Sequence, residues 1–375
     1  MLDNFHKTTP NTVLSVYDLG NLLFASSVRD REYYTTVLKE LDSLVVSSDT
    51  TIVLIKSLLR NKHLGELSLA AHDAKEGKAS LEKVMNLFSM LSETTEKQEE
   101  KTEEEFVTDD LETLLNSSIQ TPGLRWRLNT LNHMLGSLRK GDFGFVFARP
   151  ETGKTTFLSS EITFMASQLK EEDGPILWIN NEEQSSKVKL RCIQAATGCT
   201  LAQLYSDVPT HNKHFQKITK NKIKLIKDAA TVHKTYVEEL CRRHKPSLII
   251  FDQIDKIVGF EDDREDLKLG AIYQWARELA KLYAPVIAVC QADGTGEGVR
   301  WLTMSNVANA KTSKQAEADW ILGIGKIHDP GYENVRYLHL SKNKLMGDVD
   351  TVPDLRHGRR EVLIRPDIAR YQDIE

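Results

Sequence analysis

Beyond residue 121, short apolar runs alternate with longer segments whose apolar residues recur at helical spacing. Eight runs have the length and composition of buried strands. These runs are residues 143–148, 176–180, 223–226, 248–252, 285–291, 320–324, 335–340 and 361–364. Segments between them, such as 231–244 and 267–283, have the pattern of amphipathic helices. The alternation predicts an α/β fold with a mainly parallel sheet and helices on both faces.

Before residue 92 the pattern is helical. Apolar residues recur every three or four positions across residues 12–91, and we interpret the ambiguous run at 52–59 as helix because its neighbours are helical. His6, His63 and His72 lack the spacing of metal ligands. The pattern predicts a small helical interaction domain over residues 1–91.

An acidic segment separates these two regions. Seven glutamates lie between residues 92 and 110, with almost no apolar residue among them. Such a segment buries too little surface to offset its ordering entropy, so we expect a flexible linker; an acidic binding segment is the alternative. A short amphipathic helix follows from Asp109, with acids at its N-terminus and leucines that need a partner elsewhere. Residues 92–120 are therefore predicted to be an acidic linker with a docking helix.

Composition limits the class of protein. The chain has 375 residues, 40% of them hydrophobic and 27% charged, which is typical of a soluble protein with two domains. The formal net charge of −5 means that nucleic-acid binding would depend on locally placed basic groups. The four cysteines have no C-x-x-C spacing, and no run is long enough to span a membrane. The start of the sequence lacks the pattern of a signal peptide, so we expect the protein in the cytosol, or in the cytosol of a host cell.

The most informative stretch follows the first predicted strand. Residues 148–155 match the phosphate-binding P-loop pattern G-x-x-x-x-G-K-S/T, except that Ala148 replaces the first glycine. Gly153 lets the backbone turn its N–H groups toward phosphate oxygens, and the N-terminus of the next helix favours an anion. Lys154 is expected to bind the β- and γ-phosphates, and the Thr155 hydroxyl to bind Mg²⁺. The predicted nucleoside triphosphate site comprises Ala148, Arg149, Pro150, Glu151, Thr152, Gly153, Lys154, Thr155 and Thr156.

Three other predicted strands end in polar residues, and ligands of open α/β sheets bind at the carboxyl ends of the strands. Asp252 has the position of an acid that holds Mg²⁺ through water. Glu182 is a candidate to polarise the water that attacks the γ-phosphate, although Glu183 satisfies the same pattern and either residue could simply stabilise a helix N-terminus. Gln291 can both accept and donate hydrogen bonds, so we predict that it senses the γ-phosphate.

A long segment, residues 292–315, follows Gln291 and contains three glycines. Long loops in compact domains are usually functional or mobile. Arg300, Lys311 and Lys314 are candidate contacts for the phosphates of single-stranded DNA, and an ordinary solvated loop is the alternative. A second basic run between residues 213 and 227 has no interleaved aromatic residue beyond Phe215, so we interpret it as a surface face.

Lys342 and Lys344 alternate on an extended segment and therefore point to the same side. In an assembly they could reach the γ-phosphate of a neighbouring subunit and stabilise charge in the transition state. In an isolated chain they would be two surface lysines.

Several blocks together resemble the DnaB-type hexameric replicative DNA helicases, which have a RecA-like ATPase core. The resemblance extends over about residues 109–375. The matching blocks are residues 123–142, 148–155 with the same alanine, 181–191, 250–252, 289–291, 315–319 and 342–344.

The resemblance implies a RecA-like ATPase domain over residues 121–375, with ATP and Mg²⁺ as ligands. It implies Glu182 rather than Glu183 as the catalytic glutamate, Arg191 as a nucleotide-binding residue, and Lys342 and Lys344 as trans-acting cations. It further implies self-association into a ring, expected to be a hexamer, that translocates on single-stranded DNA toward its 3′ end. A primase or a helicase loader is the expected partner of the N-terminal domain, and the short chain suits a phage or plasmid version.

Two departures from the family pattern are informative. In the family, an arginine called the finger residue usually reaches the ATP bound by the neighbouring subunit. Lys344 occupies this position, and a lysine cannot make the same bidentate contact. Asp255 replaces a glutamine that usually follows the metal-binding acid. The loop that follows Asp255 carries Glu261, Asp262 and Asp263. The altered finger and this acidic loop favour the alternative of a RecA-fold ATPase that binds DNA or a partner as a filament or a loader and does not unwind DNA. A small-molecule kinase is a third possibility, although no substrate-binding lid stands out.

Overall fold

The computed structural model describes residues 35, 36 and 39 and the ranges 48–78, 80–96, 109–115, 123–226, 231–260, 264–309 and 311–374. Most of the helices predicted before residue 48, and the linker residues 97–108 and 116–122, lie outside these ranges. The chain divides into two compact units, Met1–Glu100 and Lys101–Glu375. No helix in the described ranges has the length and apolar character needed to cross a membrane.

Elements are numbered in the order in which they occur in the described chain. The helices are α1 (Ser48–Lys75), α2 (Leu81–Glu96), α3 (Leu111–Leu115), α4 (Asn129–Met134), α5 (Lys154–Gln168), α6 (Ser185–Thr197), α7 (Leu201–Ser206), α8 (Val208–Thr219), α9 (Lys234–His244), α10 (Glu265–Leu282) and α11 (Lys311–Glu317). The strands are β1 (Phe143–Ala148), β2 (Ile176–Asn180), β3 (Ile223–Leu225), β4 (Val232–His233), β5 (Leu248–Asp252), β6 (Ile257–Val258), β7 (Val286–Gln291), β8 (Trp320–Gly325), β9 (Val335–Asn343), β10 (Arg359–Arg365) and β11 (Arg370–Asp373).

In the first unit, α1 and α2 pack against each other as a helical pair. The run at 52–59 lies inside α1, so its interpretation as helix is confirmed. Several large apolar side chains remain exposed on the pair, including Leu69, Leu81 and Phe88. Exposed apolar residues on paired helices are compatible with the predicted interaction role.

The second unit is built on a nine-stranded sheet of order β11-β10-β9-β8-β1-β7-β5-β2-β3. The strands from β8 to β3 in this order pair in parallel, and β9, β10 and β11 extend the sheet in antiparallel pairs. The mainly parallel α/β sheet predicted from the sequence is therefore confirmed. The antiparallel extension matters for the site because it brings the end of the chain back beside the loop that follows β1.

Helices cover both faces of this sheet because successive side chains of a strand point to opposite faces. Val146 and Ala148 of β1 face one core, which also contains residues of α5, α6 and α8. Phe145 and Phe147 face the other core, which contains residues of α9 and α10. All six residues of β1 are buried, as its continuous apolar run predicts.

Several elements lack a clear signal in the sequence. The helices α7, α8 and α11 and the strand β11 did not emerge from the apolar pattern. β11 has one fully buried residue, Tyr371, and is defined by its pairing with β10. The segment after Gln291, expected to be a loop, contains the short turns Gly294–Gly296 and Met304–Asn306 before α11 begins.

Candidate active site

The loop between β1 and α5 has the backbone of a phosphate-binding turn. Glu151 and Gly153 have positive φ angles of 58° and 106°, which turn the chain sharply before α5 begins at Lys154. The backbone angle of Gly153 strongly favours glycine, and a Cβ atom there would also lie 2.6 Å from Cδ1 of Ile364, so that side chain would have to shift. The sequence prediction of a strand, a tight loop and a helix is confirmed at this position.

Strands β9 and β11 of the antiparallel extension contribute side chains that bind the backbone of this loop. Arg336 is only 5% exposed, and its Nε donates a hydrogen bond of 2.7 Å to the carbonyl oxygen of Thr152. The hydroxyl of Tyr371 donates to the carbonyl oxygen of Gly153 at 3.3 Å. Sequence reasoning missed both residues, because neither belongs to a motif and both are far from the loop along the chain.

Lys154 is buried at the start of α5, with 7% of its surface exposed. Its Nζ donates to the carbonyl oxygens of Ala148 and Arg149, each at 3.3 Å. Burial lowers the pKa of Lys154, and the nearby carboxylates of Glu182 and Asp252 oppose that shift. Lys154, which is predicted to bind phosphate, therefore interacts electrostatically with the carboxylates of Glu182 and Asp252.

Asp252 ends β5 and is 1% exposed. Neither of its carboxylate oxygens has a hydrogen-bond partner among the described residues. Burial raises the pKa of Asp252 to about 7; the negative charge of Glu182 acts in the same direction and Lys154 acts against it. An orphaned, buried carboxylate needs a cation or ordered water, and Mg²⁺ prefers such hard oxygen ligands. Asp252 thus fits the predicted magnesium site. Thr155 is the second residue of α5, and the contact of its hydroxyl with Mg²⁺ stays a prediction.

The two adjacent glutamates after β2 have different surroundings. Glu183 is half-buried and accepts two hydrogen bonds from the Arg191 guanidinium, one of them 3.0 Å long. Glu182 is exposed and perturbs both Lys154 and Asp252. The geometry thus favours Glu182 as the hydrolytic residue. The guanidinium of Arg191 is paired with Glu183. The predicted contact of Arg191 with nucleotide stays a prediction.

Gln291 ends β7, the strand between β1 and β5. It lies beside Ala148 in the parallel register, and its side chain is half-buried. The next residue, Ala292, donates its backbone N–H to the carbonyl oxygen of Ala148 at 3.0 Å. The predicted sensor therefore lies directly beside the P-loop and leads into the segment expected to contact DNA.

The three predicted DNA contacts have different surroundings, and the contact of Lys311 with DNA stays a prediction. Arg300 is exposed, with its guanidinium 5.1 Å from the ring centroid of Tyr337, and Lys311 is the first residue of α11. Lys314 is different, because its side chain is 0% exposed and its Nζ donates to Asp255 at 2.7 Å. The prediction that Lys314 contacts DNA is therefore wrong: a buried ammonium bonded to a carboxylate cannot also reach a phosphate backbone.

The predicted finger residues lie at the other end of the strands. Asp319 donates its N–H to the carbonyl oxygen of Phe143, the first residue of β1, and the N–H of Lys344 donates to the carbonyl oxygen of Asp319. A six-residue strand is about 17 Å long, so Lys344 is separated from its own P-loop by the height of the sheet. Lys344 is exposed, whereas Lys342 is half-buried and its Nζ donates to the carbonyl oxygen of Gln315.

Comparison with known proteins agrees with this geometry. A family described as an AAA domain matches residues 108–296. One similar solved structure is described as an ATPase domain, with 16% identity, 77% of this chain and 99% of that chain covered, and a TM-score of 0.56. Another is a DnaB-like replicative helicase, described with its interactions with primase, with 17% identity, 91% and 83% of the two chains covered, and a TM-score of 0.59.

These structures confirm the predicted likeness to the DnaB-type fold. The family match spans half of the chain and includes the P-loop and the strand ends that carry Glu182, Asp252 and Gln291. The chain therefore belongs to the AAA-domain family.

Proposed function

We propose that this protein is an ATP-driven replicative DNA helicase that assembles as a ring, hydrolyses ATP between subunits and translocates on single-stranded DNA. The observation that carries the proposal is the placement of two half-sites at opposite ends of the same strands. Lys154, Asp252 and Glu182 gather at the carboxyl ends, whereas the exposed Lys344 is tied to the level of Phe143 at the amino ends. This separation is expected if the ATP site of one subunit is completed by Lys344 of the neighbouring subunit.

Within one subunit, the P-loop N–H groups and Lys154 bind the β- and γ-phosphates of ATP. A water oxygen attacks the γ-phosphorus, its proton passes to the Glu182 carboxylate, and the bond to the β–γ bridging oxygen breaks to give ADP and phosphate. Thr155 and Asp252 would hold Mg²⁺, which when bound neutralises charge on the phosphates. Arg336 and Tyr371 keep the P-loop carbonyls in place during the reaction.

The neighbour's contribution is a cation. Lys344 of one subunit would reach the γ-phosphate bound by the next and stabilise the charge that develops there. Lys342 has a supporting part, because its hydrogen bond to Gln315 holds the β9 segment against α11. Single-stranded DNA would contact the exposed Arg300 and the start of α11 at Lys311.

The N-terminal helices are the proposed contact for a primase-type protein or a loader. Their exposed apolar side chains, among them Leu69 and Phe88, provide a surface for it. One of the similar structures is described together with its interactions with primase, which agrees with this assignment.

The test is native mass with and without ATP, followed by ATPase and unwinding assays on a forked duplex. We expect a ring-sized assembly, hydrolysis stimulated by single-stranded DNA, and strand separation that needs ATP. A monomer whose ATPase ignores DNA would contradict the proposal.

A second candidate is a RecA-fold DNA-binding ATPase that does not unwind. The lysine at position 344 favours it because lysine cannot make the bidentate contact of the usual arginine. The burial of Lys314 favours it because this cation cannot reach a DNA phosphate. Electron microscopy distinguishes the two candidates: closed rings support the helicase, and helical filaments support the second candidate.

A further inference from the structure

Lys314 has one of the most enclosed cationic side chains in the described part of the chain. Its Nζ donates to Oδ2 of Asp255 at 2.7 Å and to the carbonyl oxygen of Ala308 at 3.0 Å. It also lies 5.4 Å from the ring centroid of Tyr273, whose hydroxyl donates to Oδ1 of Asp255 at 3.1 Å. Both carboxylate oxygens and the ammonium group are therefore satisfied within one small cluster.

The two charged partners belong to segments of different function. Asp255 lies in the short turn Ile254–Lys256, which begins two residues after Asp252, the acid predicted to hold Mg²⁺. Lys314 lies in α11, at the downstream end of the segment that carries Arg300. The ion pair thus joins the end of the metal-binding strand to the end of the proposed DNA-binding segment.

The upstream end of the same segment is tied to the P-loop. Arg149 donates from Nε to Glu297 at 2.9 Å and from Nη1 to the carbonyl oxygen of Ala292 at 3.1 Å. Glu297 also contacts His328 at 2.9 Å. The segment is therefore anchored near both ends to the predicted nucleotide site. The upstream pair is solvent-accessible, whereas the downstream pair has a fully buried lysine.

Burial makes the downstream anchor the stronger of the two. Lys314 and Asp255 are 0% and 23% exposed, whereas Arg149 and Glu297 are 30% and 56% exposed, so water competes less for the downstream pair. A buried charge that loses its partner is strongly unfavourable. A shift of the turn after Asp252 must therefore move α11 with it.

We propose that Asp255 and Lys314 are positioning residues that couple the nucleotide site to the DNA-binding segment. The inference rests on the proposed function and adds the route by which occupancy of the ATP site changes affinity for single-stranded DNA. Asp255, one of the two departures from the family pattern, thus has a coupling role through its ion pair with Lys314.

The experiment measures the coupling itself in the full chain. The Kd for a fluorescent oligo(dT) strand is determined by anisotropy with and without the ATP analogue AMP-PNP in the presence of Mg²⁺, for the unmodified protein and for Lys314→Met. The matched control is Lys281→Met, which removes a lysine from an exposed pair with Glu278 on α10. Melting temperature and AMP-PNP affinity without DNA are recorded for all three proteins.

We expect AMP-PNP to change the oligo(dT) Kd of the unmodified protein by about 5- to 150-fold, the usual range of allosteric coupling, and that of Lys314→Met by less than about twofold. Lys281→Met should keep the full effect. AMP-PNP affinity without DNA should be the same in all three proteins, because Lys314 does not contact the nucleotide site. A purely structural role would lower the melting temperature of Lys314→Met and leave its coupling intact, and that outcome overturns the inference.

If Lys314→Met does not fold, Asp255→Asn combined with Lys314→Met removes both charges and serves the same test. Coupling at the unmodified level in this double variant also overturns the inference. An unmodified protein that hydrolyses ATP and unwinds DNA, with normal coupling in Lys314→Met, rejects only this inference. An unmodified protein that binds no oligo(dT) with or without AMP-PNP rejects the proposed function and this inference together.

Discussion

Glu183 accepts both hydrogen bonds of the Arg191 guanidinium, and this pairing distinguishes it from the adjacent Glu182. Because the guanidinium engages both carboxylate oxygens, Glu183 is poorly placed to orient a water molecule for attack on a phosphate. Glu182 has no such partner among the described residues and acts on Lys154 and Asp252. Sequence pattern alone admitted either glutamate, so the ion pair supplies the physical reason for choosing Glu182.

The first prediction concerns this choice. Glu182→Gln should bind ATP normally and lose about 10²- to 10⁴-fold in hydrolysis, because an amide cannot accept the proton of the attacking water. Glu183→Gln is the matched control and should keep most of its turnover. Fluorescent-nucleotide binding and phosphate release measure the two effects, and normal turnover in Glu182→Gln would show that the base is misassigned.

The second prediction concerns the support beneath the P-loop. Arg336→Met should weaken ATP binding and lower the free energy of unfolding by about 1–3 kcal/mol, because the carbonyl oxygen of Thr152 loses its buried donor. Arg360→Met, on the neighbouring strand and exposed, should change stability by no more than about 0.5 kcal/mol. Denaturant unfolding and nucleotide titration provide both measurements. Unchanged ATP affinity in Arg336→Met would argue against a role in shaping the loop.

The third prediction concerns Lys344. In the assembled protein, Lys344→Ala should reduce hydrolysis by about 10²-fold or more, the scale expected when a group that stabilises transition-state charge is lost. Because this cation would act on the neighbour's ATP, mixing Lys344→Ala with Lys154→Ala subunits should restore part of the activity that each variant lacks alone. ATPase measured against subunit ratio reports the recovery. If dilute monomer loses as much activity as the assembly, the trans role is wrong.

The fourth prediction is a pH dependence. Glu161 is fully buried on α5, and burial raises its pKa from 4.5 to about 7. The folded state therefore binds this proton more tightly than the unfolded state does. The resulting stabilisation is complete below about pH 4.5 and is lost as the pH rises through about 7.

Glu161→Gln removes this titration and can still accept the backbone N–H groups of Arg127 and Leu128. Relative to the unmodified protein, the variant should therefore gain stability with rising pH, by up to about 3 kcal/mol near pH 8. Denaturant midpoints across the pH range measure the trend, with the exposed Glu171→Gln as control. A constant difference between variant and unmodified protein would show that Glu161 does not titrate in this range.

Much of the fold and of the catalytic centre was predictable from local pattern. The apolar run 143–148 followed by Gly153 and Lys154 predicts a buried strand and a phosphate-binding turn, because backbone geometry there depends on neighbouring residues. The polar residues Asp252 and Gln291 follow equally clear strands. Parallel strands in one sheet end on the same side, so these residues meet without any detail of packing.

Side-chain environment was not predictable in the same way. Lys314 looked like a surface cation in a glycine-containing loop, and only the folded chain places it beside Asp255 in the interior. The same holds for Arg336 and Tyr371, which lie 184 and 218 residues along the chain from the P-loop atoms they bind. Contacts over such separations depend on how β9, β10 and β11 extend the sheet, which no local periodicity encodes.

The sequence by itself determined that the chain has an α/β core with a P-loop, and it predicts a metal-binding acid and a sensor at the ends of neighbouring strands. Only the tertiary structure decided that Glu183 is paired with Arg191 and that Lys314 is buried. It also placed Lys344 at the opposite end of the sheet from its own P-loop. The physical reason is that strand pattern and turn chemistry are set by near neighbours, whereas burial and ion pairing depend on segments that only folding brings together.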